Sequence, residues 1–549
     1  MEDYIELKNI KFENIKYNRV DYENYKEQFL EYIHKIEYSS SFDEVITNIN
    51  SINILRKKIE TMRVLVEIKF SLNTKDESIK KENKYWDEMY PYFESLNIKF
   101  YQSLLNSRFK KEIIDKYGKQ FYRIMECKVG VFSDSIIELL KQENKLMSEY
   151  TALLASFNME FNGEKCNLSK MFSYASNLDE KIRRESIKLQ TDFFEENEKK
   201  FDYIFDKLVK IRHDIAKKLG YESFLEVGYM RMLRTDYDEK DIEKLRKKVI
   251  AKYIPMANDL YSEQSKRIGV EKIDFYNEKI EFLDGNAKLI GDSKYIIKQG
   301  QKMYDEISDE TSKFYRFLTD NNLFDIEYRE GKAMGGYCTI IPDYNLPYIF
   351  ANFNGTVDDI DVLTHEMGHA FQVYMSSYID MQELVFPTLD SCEIHSMSME
   401  FFTYPWMHLF FGKDIDKYKK YHYDSAIKFI PYGTLVDHFQ HIIYKNVSLS
   451  PDDRKKIWSQ LEKVYLPEKD YVDLNILNRG GYWFRQGHIF KDPFYYIDYV
   501  LAQICALQFY ELMQIDYKDA WKRFLKICKV GGIYSFKEIV DIAGLENPF

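Results

Sequence analysis

Proline is the residue a helix interior tolerates least, because it lacks an N–H and its ring collides with the carbonyl four residues back. This chain of 549 residues has 11 prolines, and only Pro91 and Pro255 precede residue 340. The first 340 residues are therefore free to be helical almost throughout. Apolar residues recur at three- and four-residue spacing in FDEVITNINSINILRKKIETMRVLVEIKF and again around Ile136 to Leu140, as amphipathic helices require. The run DFFEENEKKFDYIFDKLVKIRHDIAKKLG, residues 192–220, predicts one long helix ending at Gly220, its charges on a solvated face. Within MEFNGEKCNLSK, residues 159–170, the dipeptide Asn162-Gly163 predicts a turn. That turn is taken as a seam between an N-terminal helical part, residues 1–160, and a second part, residues 161–549.

Composition narrows the classes. The chain is 45% apolar and 30% charged, as soluble globular proteins are. Its 45 Tyr and 39 Phe fit either a hydroxyl-lined cleft or a compositional bias of the genome, with the bias the weightier reading. A net charge of −11 without a basic block argues against a nucleic-acid partner. Cysteines 127, 166, 338, 392, 505 and 528 form no C-x-x-C pair and read as buried reduced thiols. The opening MEDYIELKNIKFENIKY has no continuous apolar core, so no signal peptide is expected. No window is long and apolar enough for a transmembrane helix. A cytoplasmic protein without a membrane partner is the expectation.

Near residue 333 the texture changes. AMGGYCTIIPDYNLPYIFANFNGT reads as two short strands, around Tyr337–Ile341 and Tyr348–Phe353, joined by PDYN. Pro347 suits an edge strand and not a central one. Asn354-Gly355-Thr356 and two aspartates then predict a helix start. That helix carries DVLTHEMGHAFQVY, residues 361–374. Imidazoles four residues apart share a helix face, with Cβ atoms roughly 5–6 Å apart. His365 and His369 can therefore converge on one Zn²⁺ at about 2.0–2.1 Å each. Glu366 then points beside the metal, where it can take a proton from water. The alternative is a pair of core histidines satisfied by other acceptors, since Val362, Leu363, Met367, Ala370, Phe371 and Val373 give the helix an apolar surround.

A third ligand is needed. One solution, a His six residues past the second motif His with an intervening Gly, is excluded by Gln372 and Met375. The other, a Glu on a following helix, is offered by LDSCEIHSMSMEFFTYPW, residues 389–406, with Asp390 or Ser391 as cap and Pro405 as stop. Glu393 is the candidate, although Asp390-x-x-Glu393 also matches a capping box. Glu400, on the same face, reads either as a carboxylate supporting a ligand or as an exposed charge. Cys392 and His395 point roughly 100° and 200° away and are left out. In GGYWFRQGHIFKDPFYYIDYVLAQ, residues 480–503, Pro493 predicts a helix start that places Tyr496 and Tyr499 at i, i+3, with His488 in the loop before. These side chains are either donors to a developing oxyanion or tyrosines packed in the core. His438-x-x-His441 is a weaker metal candidate, with only Asp437 close by.

Taken in order, GGYCTIIPDYNLPYIFANFNGT, DIDVLTHEMGHAFQVY, SCEIHSMSMEFF and GHIFKDPFYYIDY resemble segments of the oligoendopeptidase F family of zinc metallopeptidases. These are relatives of thimet oligopeptidase and close to the Pz-peptidase type. The resemblance extends over roughly residues 160–545. It implies a mostly α-helical, zincin-like fold with a small β-sheet beside the active-site helix, a deep substrate channel, and a catalytic zinc-peptidase domain in residues 161–549. It further implies one Zn²⁺ per chain on His365, His369 and Glu393, Glu366 as general base, and His488 and Tyr499 holding substrate, with Tyr496 contributing less. More distant relatives carry a further tyrosine before this pair, where Asp492 stands here. The strand carrying Tyr337, Cys338, Thr339 and Ile340 would bind oligopeptides by edge addition. Rival readings are a carboxypeptidase or dipeptidyl carboxypeptidase, using Arg479 or Arg485 to grip a C-terminus, and a peptide-binding protein with a structural zinc.

Overall fold

The computed structural model describes residues 9–549 other than 330, 334 and 354. The opening residues 1–8 and Asn354 of the anticipated helix start lie outside the described residues. Helices begin where short polar side chains can cap them. The helix α1 (Tyr22–Tyr38) is capped by Asp21, α2 (Phe42–Leu72) by Ser41, and α3 (Glu77–Leu105) by Asp76, each accepting from first-turn N–H groups. The face of α2 bearing Val45, Ile49, Ile52 and Ile59 is buried, as its periodicity predicts. Pro91 sits inside α3, so one of the two early prolines is accommodated within a helix. Between Ile268 and Ser293 the chain is irregular although it has no proline.

A small hairpin, β1 (Met159–Phe161) and β2 (Glu164–Cys166), marks the anticipated turn, with Asn162 at φ 51° and Gly163 at φ 79°. The long helix expected over 192–220 is two helices, α4 (Glu180–Glu196) and α5 (Glu198–Lys218). Asn197 separates them: its backbone N–H and its side-chain amide both donate to the Phe193 carbonyl, closing α4.

The second sheet has three strands, β3 (Phe324–Glu327), β4 (Tyr337–Ile341) and β5 (Leu346–Phe353), in the order β3-β5-β4. The strand β3 was not anticipated. It runs parallel to β5, and β4 runs antiparallel to it in the register Tyr337↔Phe350 to Ile341↔Leu346. Pro347 therefore lies in the middle strand, against expectation. Because β3 joins only from Ile349 onward, β5 has one strand neighbour at the proline and is locally an edge there.

Five further helices frame the site. The motif helix α6 (Asp358–Ser376) follows its polar lead-in, with Asp358, Asp359 and Asp361 in its first turn as expected. It packs on α7 (Leu389–Phe402), and α7 packs on the apolar helix α10 (Tyr496–Ile515). The long α8 (Ile415–Lys445) accommodates Pro431, and α9 (Gly487–Lys491) is a single short turn. The main apolar core joins α2 and α3 to β5, α6, α7 and α10. Of the six cysteines, all free, five are buried and Cys338 is half-buried.

Candidate metal centre

Residue 368, between the two motif histidines, has to be glycine for α6 and α7 to meet as they do. A Cβ there would lie 2.6 Å from the His395 carbonyl oxygen and 2.7 Å from Ser396 Cα. This close approach brings a carboxylate of α7 to the histidine face of α6. His365 Nε2 is 3.2 Å and His369 Nε2 3.4 Å from Glu393 Oε2. The three ligand atoms lie within 4.8 Å of one another, and they are the one such group found among the described residues.

The remaining atoms of these side chains are held from behind. His365 Nδ1 is 2.7 Å from Glu400 Oε1, so Nε2 is left toward the centre when Nδ1 carries the proton. The other oxygen of Glu400 accepts from His422 Nε2 at 2.7 Å, and His422 Nδ1 accepts from the Tyr404 hydroxyl at 2.7 Å. Glu400 thus braces His365 and His422 and is not an exposed charge. Cys392, set aside on its helical angle, lies with its Sγ 3.2 Å from His369 Nδ1. The angle was measured about α7 alone, whereas α6 crosses close enough to meet that flank. His395 does stay outside the centre, bonding the Ser391 carbonyl.

Glu393 is not a helix cap. The N-cap of α7 is Thr388, and Asp390 accepts from the Thr388 hydroxyl and the Ser391 N–H. Glu393 instead accepts from Ser396 Oγ at 2.8 Å and from the Tyr495 hydroxyl at 2.6 Å. Sequence spacing assigns nothing to Tyr495, although Tyr495 and Tyr499 form an i, i+4 pair that signals a shared face as well as 496 and 499 do. Burial raises the cost of charge on Glu393, but the imidazoles of His369 and His365 outweigh it and hold the carboxyl well below the usual range. Burial opposes charge on His365 as well, yet Glu393 and Glu400 push its pKa well up. Glu366 is 8% exposed, and burial raises its pKa against the pull of the two histidines. Its Oε2 has no hydrogen-bond partner.

A second wall faces this centre from α9 and α10. His488 lies in α9 and not in a loop, and α10 begins at Tyr496, three residues beyond Pro493. Tyr495, Tyr496 and Tyr499 surround the His488 ring at centroid distances of 5.5, 5.2 and 5.8 Å. Burial pushes the His488 pKa down, so the ring favours its neutral form, and its Nδ1 is 3.0 Å from Gln486 Nε2. His488, Tyr496, Tyr499, Glu400 and His422 line a cavity of about 310 Å³. Along the other flank, Tyr337, Cys338, Thr339 and Ile340 are half-buried on β4, whose free side carries no strand among the described residues. Gly336, just before β4, comes close to Glu366 Oε1.

The other candidates disperse. His438 Nδ1 meets the Tyr465 hydroxyl at 3.0 Å and His441 Nε2 that of Tyr229 at 3.0 Å, so these histidines have separate partners. Arg479 is tied to Glu195 and Glu198. No helix among the described residues is long and apolar enough to cross a membrane.

Comparison with known proteins bears on the whole chain. A family model described as peptidase family M3 matches residues 173–549, and one described as the peptidase M3 N-terminal domain matches residues 12–132. The oligoendopeptidase F homolog of Borreliella burgdorferi is 24% identical over 438 residues, 74% of this chain and 71% of that protein. Pz peptidase A, solved with an inhibitor, superposes with a TM-score of 0.95 at 44% identity, covering 98% of this chain and 96% of that one. Oligoendopeptidase F from Enterococcus faecium, at 15% identity and a TM-score of 0.60 over 96% of both chains, shares the fold.

Proposed function

Since the chain belongs to peptidase family M3 and is a peptidase, we propose that it is a zinc-dependent metalloendopeptidase that cuts internal bonds of short oligopeptides. The observation that carries this reading is the convergence of His365, His369 and Glu393 beside a buried carboxylate, Glu366, with an unpaired oxygen. Two imidazoles and one carboxylate are a donor set that catalytic zinc accepts. An orphaned acceptor in a buried site is costly unless something fills it, and water to be activated would fill this one. When bound, Zn²⁺ supplies Lewis acidity that activates water and polarises the scissile carbonyl.

The protein's own groups do the rest. Glu366 takes the proton from water and delivers it to the leaving amine nitrogen, and its raised pKa suits both transfers. Neutral His488 and the hydroxyls of Tyr499 and Tyr496 face the cavity where a carbonyl oxygen gains charge, and donate to it. Tyr495 fixes the Glu393 carboxylate. The free edge of β4 at Tyr337, Cys338, Thr339 and Ile340 pairs with an extended peptide backbone, which selects weakly among side chains. Residues 161–549 form the catalytic part in this reading, and the helical part, residues 1–160, lies over β4 through α2.

A quenched-fluorescent peptide blocked at both ends separates the readings. The endopeptidase cleaves it at an internal bond, a chelator stops cleavage, and Glu366→Gln keeps its zinc while losing roughly 10²–10⁴ in kcat. An exopeptidase leaves the doubly blocked peptide intact. Turnover that survives complete removal of metal, or near-normal turnover by Glu366→Gln, contradicts the proposal.

A further inference from the structure

Three positions before His488, at the end of the short helical turn Tyr482–Arg485, the chain carries a cation. Arg485 is exposed, with its guanidinium carbon 4.9 Å from the Phe172 ring centroid and 4.9 Å from that of Tyr482. Among the described residues it pairs with no carboxylate. Two aromatic rings hold the planar group without consuming its N–H donors, which leaves the fork available to a planar anion.

Arg485 lines a cavity of about 380 Å³ together with Lys279, Glu278, Asp358 and Tyr421. This space borders the catalytic one. Asp358 and Asp361 lie one turn apart on α6, the first lining the outer cavity and the second the inner. Tyr421 and His422, adjacent on α8, divide between the two cavities in the same way. The charge balance of the outer cavity is positive. Glu278 is neutralised by Lys469 at 2.6 Å, leaving Arg485 and Lys279 against Asp358 alone. Arg485 and His488 are three positions apart, so their Cα atoms are at most about 11 Å apart. An extended peptide covers that distance in roughly three residues.

We propose that this outer cavity is a carboxylate subsite in which Arg485 receives the free C-terminus of a short peptide about three residues beyond the bond being cut. The subsite rests on the peptidase reading of the inner site and adds to it a reason for preferring short peptides: the terminus has to reach Arg485. A bidentate guanidinium–carboxylate pair supplies both the attraction and the register.

Three quenched-fluorescent peptides of one sequence test this: a free C-terminal acid, its amide, and the amide ending in Asp. With the wild-type protein the acid should show a KM about tenfold below that of the amide. In Arg485→Gln that ratio should collapse toward one, and in Arg485→Lys it should be partly retained. Recovery of tight binding by the Asp-terminated amide assigns the subsite to any carboxylate, and no recovery assigns it to the terminus. Equal KM values for all three peptides with the wild type, or a preference that persists in Arg485→Gln, overturn the subsite. Dissociation constants of the same peptides on Glu366→Gln, by fluorescence polarisation, keep the two ideas apart. Discrimination without any wild-type cleavage would sink the peptidase mechanism alone, and normal cleavage without discrimination would sink the subsite alone.

Discussion

His365 and His369 on α6, and His438 and His441 on α8, are two histidine pairs each set within about one helical turn. The first pair aims both Nε2 atoms at Glu393, a carboxylate that meets no lysine or arginine among the described residues. The second pair lies beside Asp437, but that carboxylate is taken by Arg246 at 2.7 Å, and each ring finds its own tyrosine. Burial, with Arg246 nearby, pushes the His438 pKa down to about 4, so it is a neutral ring satisfied by a hydroxyl. Spacing within a helix is thus shared by a candidate metal centre and by ordinary packing. The difference lies in a carboxylate without a lysine or arginine partner among the described residues, brought from another helix.

Three changes sharpen or break this contrast. Glu400→Gln loosens the hydrogen bond behind His365 and should weaken zinc binding about 10–100-fold, read by chelator competition; unchanged affinity would show that the first pair needs no support from behind. Gly368→Ala pushes a methyl into the α6–α7 contact, where overpacking costs about 1–3 kcal/mol. Thermal unfolding should shift down and zinc affinity should fall with it. An unshifted melt would mean the two helices can part without moving Glu393. The smallest effect concerns the surroundings of the second pair. Glu462, in the helix Pro451–Tyr465 whose last residue bonds His438, has its pKa raised by burial to about 7. A carboxyl whose pKa is higher in the folded state than in the unfolded one adds stability below pH about 4.5, and that stability drains away as pH rises through 7. Glu462→Gln should therefore flatten the pH dependence of unfolding between those values and leave zinc binding untouched.

The parts of the site legible in the sequence were those encoded within one helix or in the next acid along the chain. The shared face of His365 and His369 follows from four-residue spacing, and Glu393, expected on the helix that comes next, does converge on them. Cys392 and Tyr495 were missed because their contacts depend on how α6 and α10 cross α7, which no single-helix projection contains. Likewise β3 has too few residues to show an alternation, and Asn197 ends a periodic run with its side-chain amide sharing the Phe193 carbonyl with its own backbone N–H. Mostly helical architecture was readable from proline placement, whereas the accommodation of Pro91 and Pro431 inside helices was not.

The most direct measurement is the zinc content of the purified protein by mass spectrometry of the elements, compared across the two pairs. The account predicts one zinc per chain in the wild type and in His441→Ala, and almost none in His369→Ala or Glu393→Gln. A wild-type protein without stoichiometric zinc, or zinc retained in full after loss of Glu393, would contradict it.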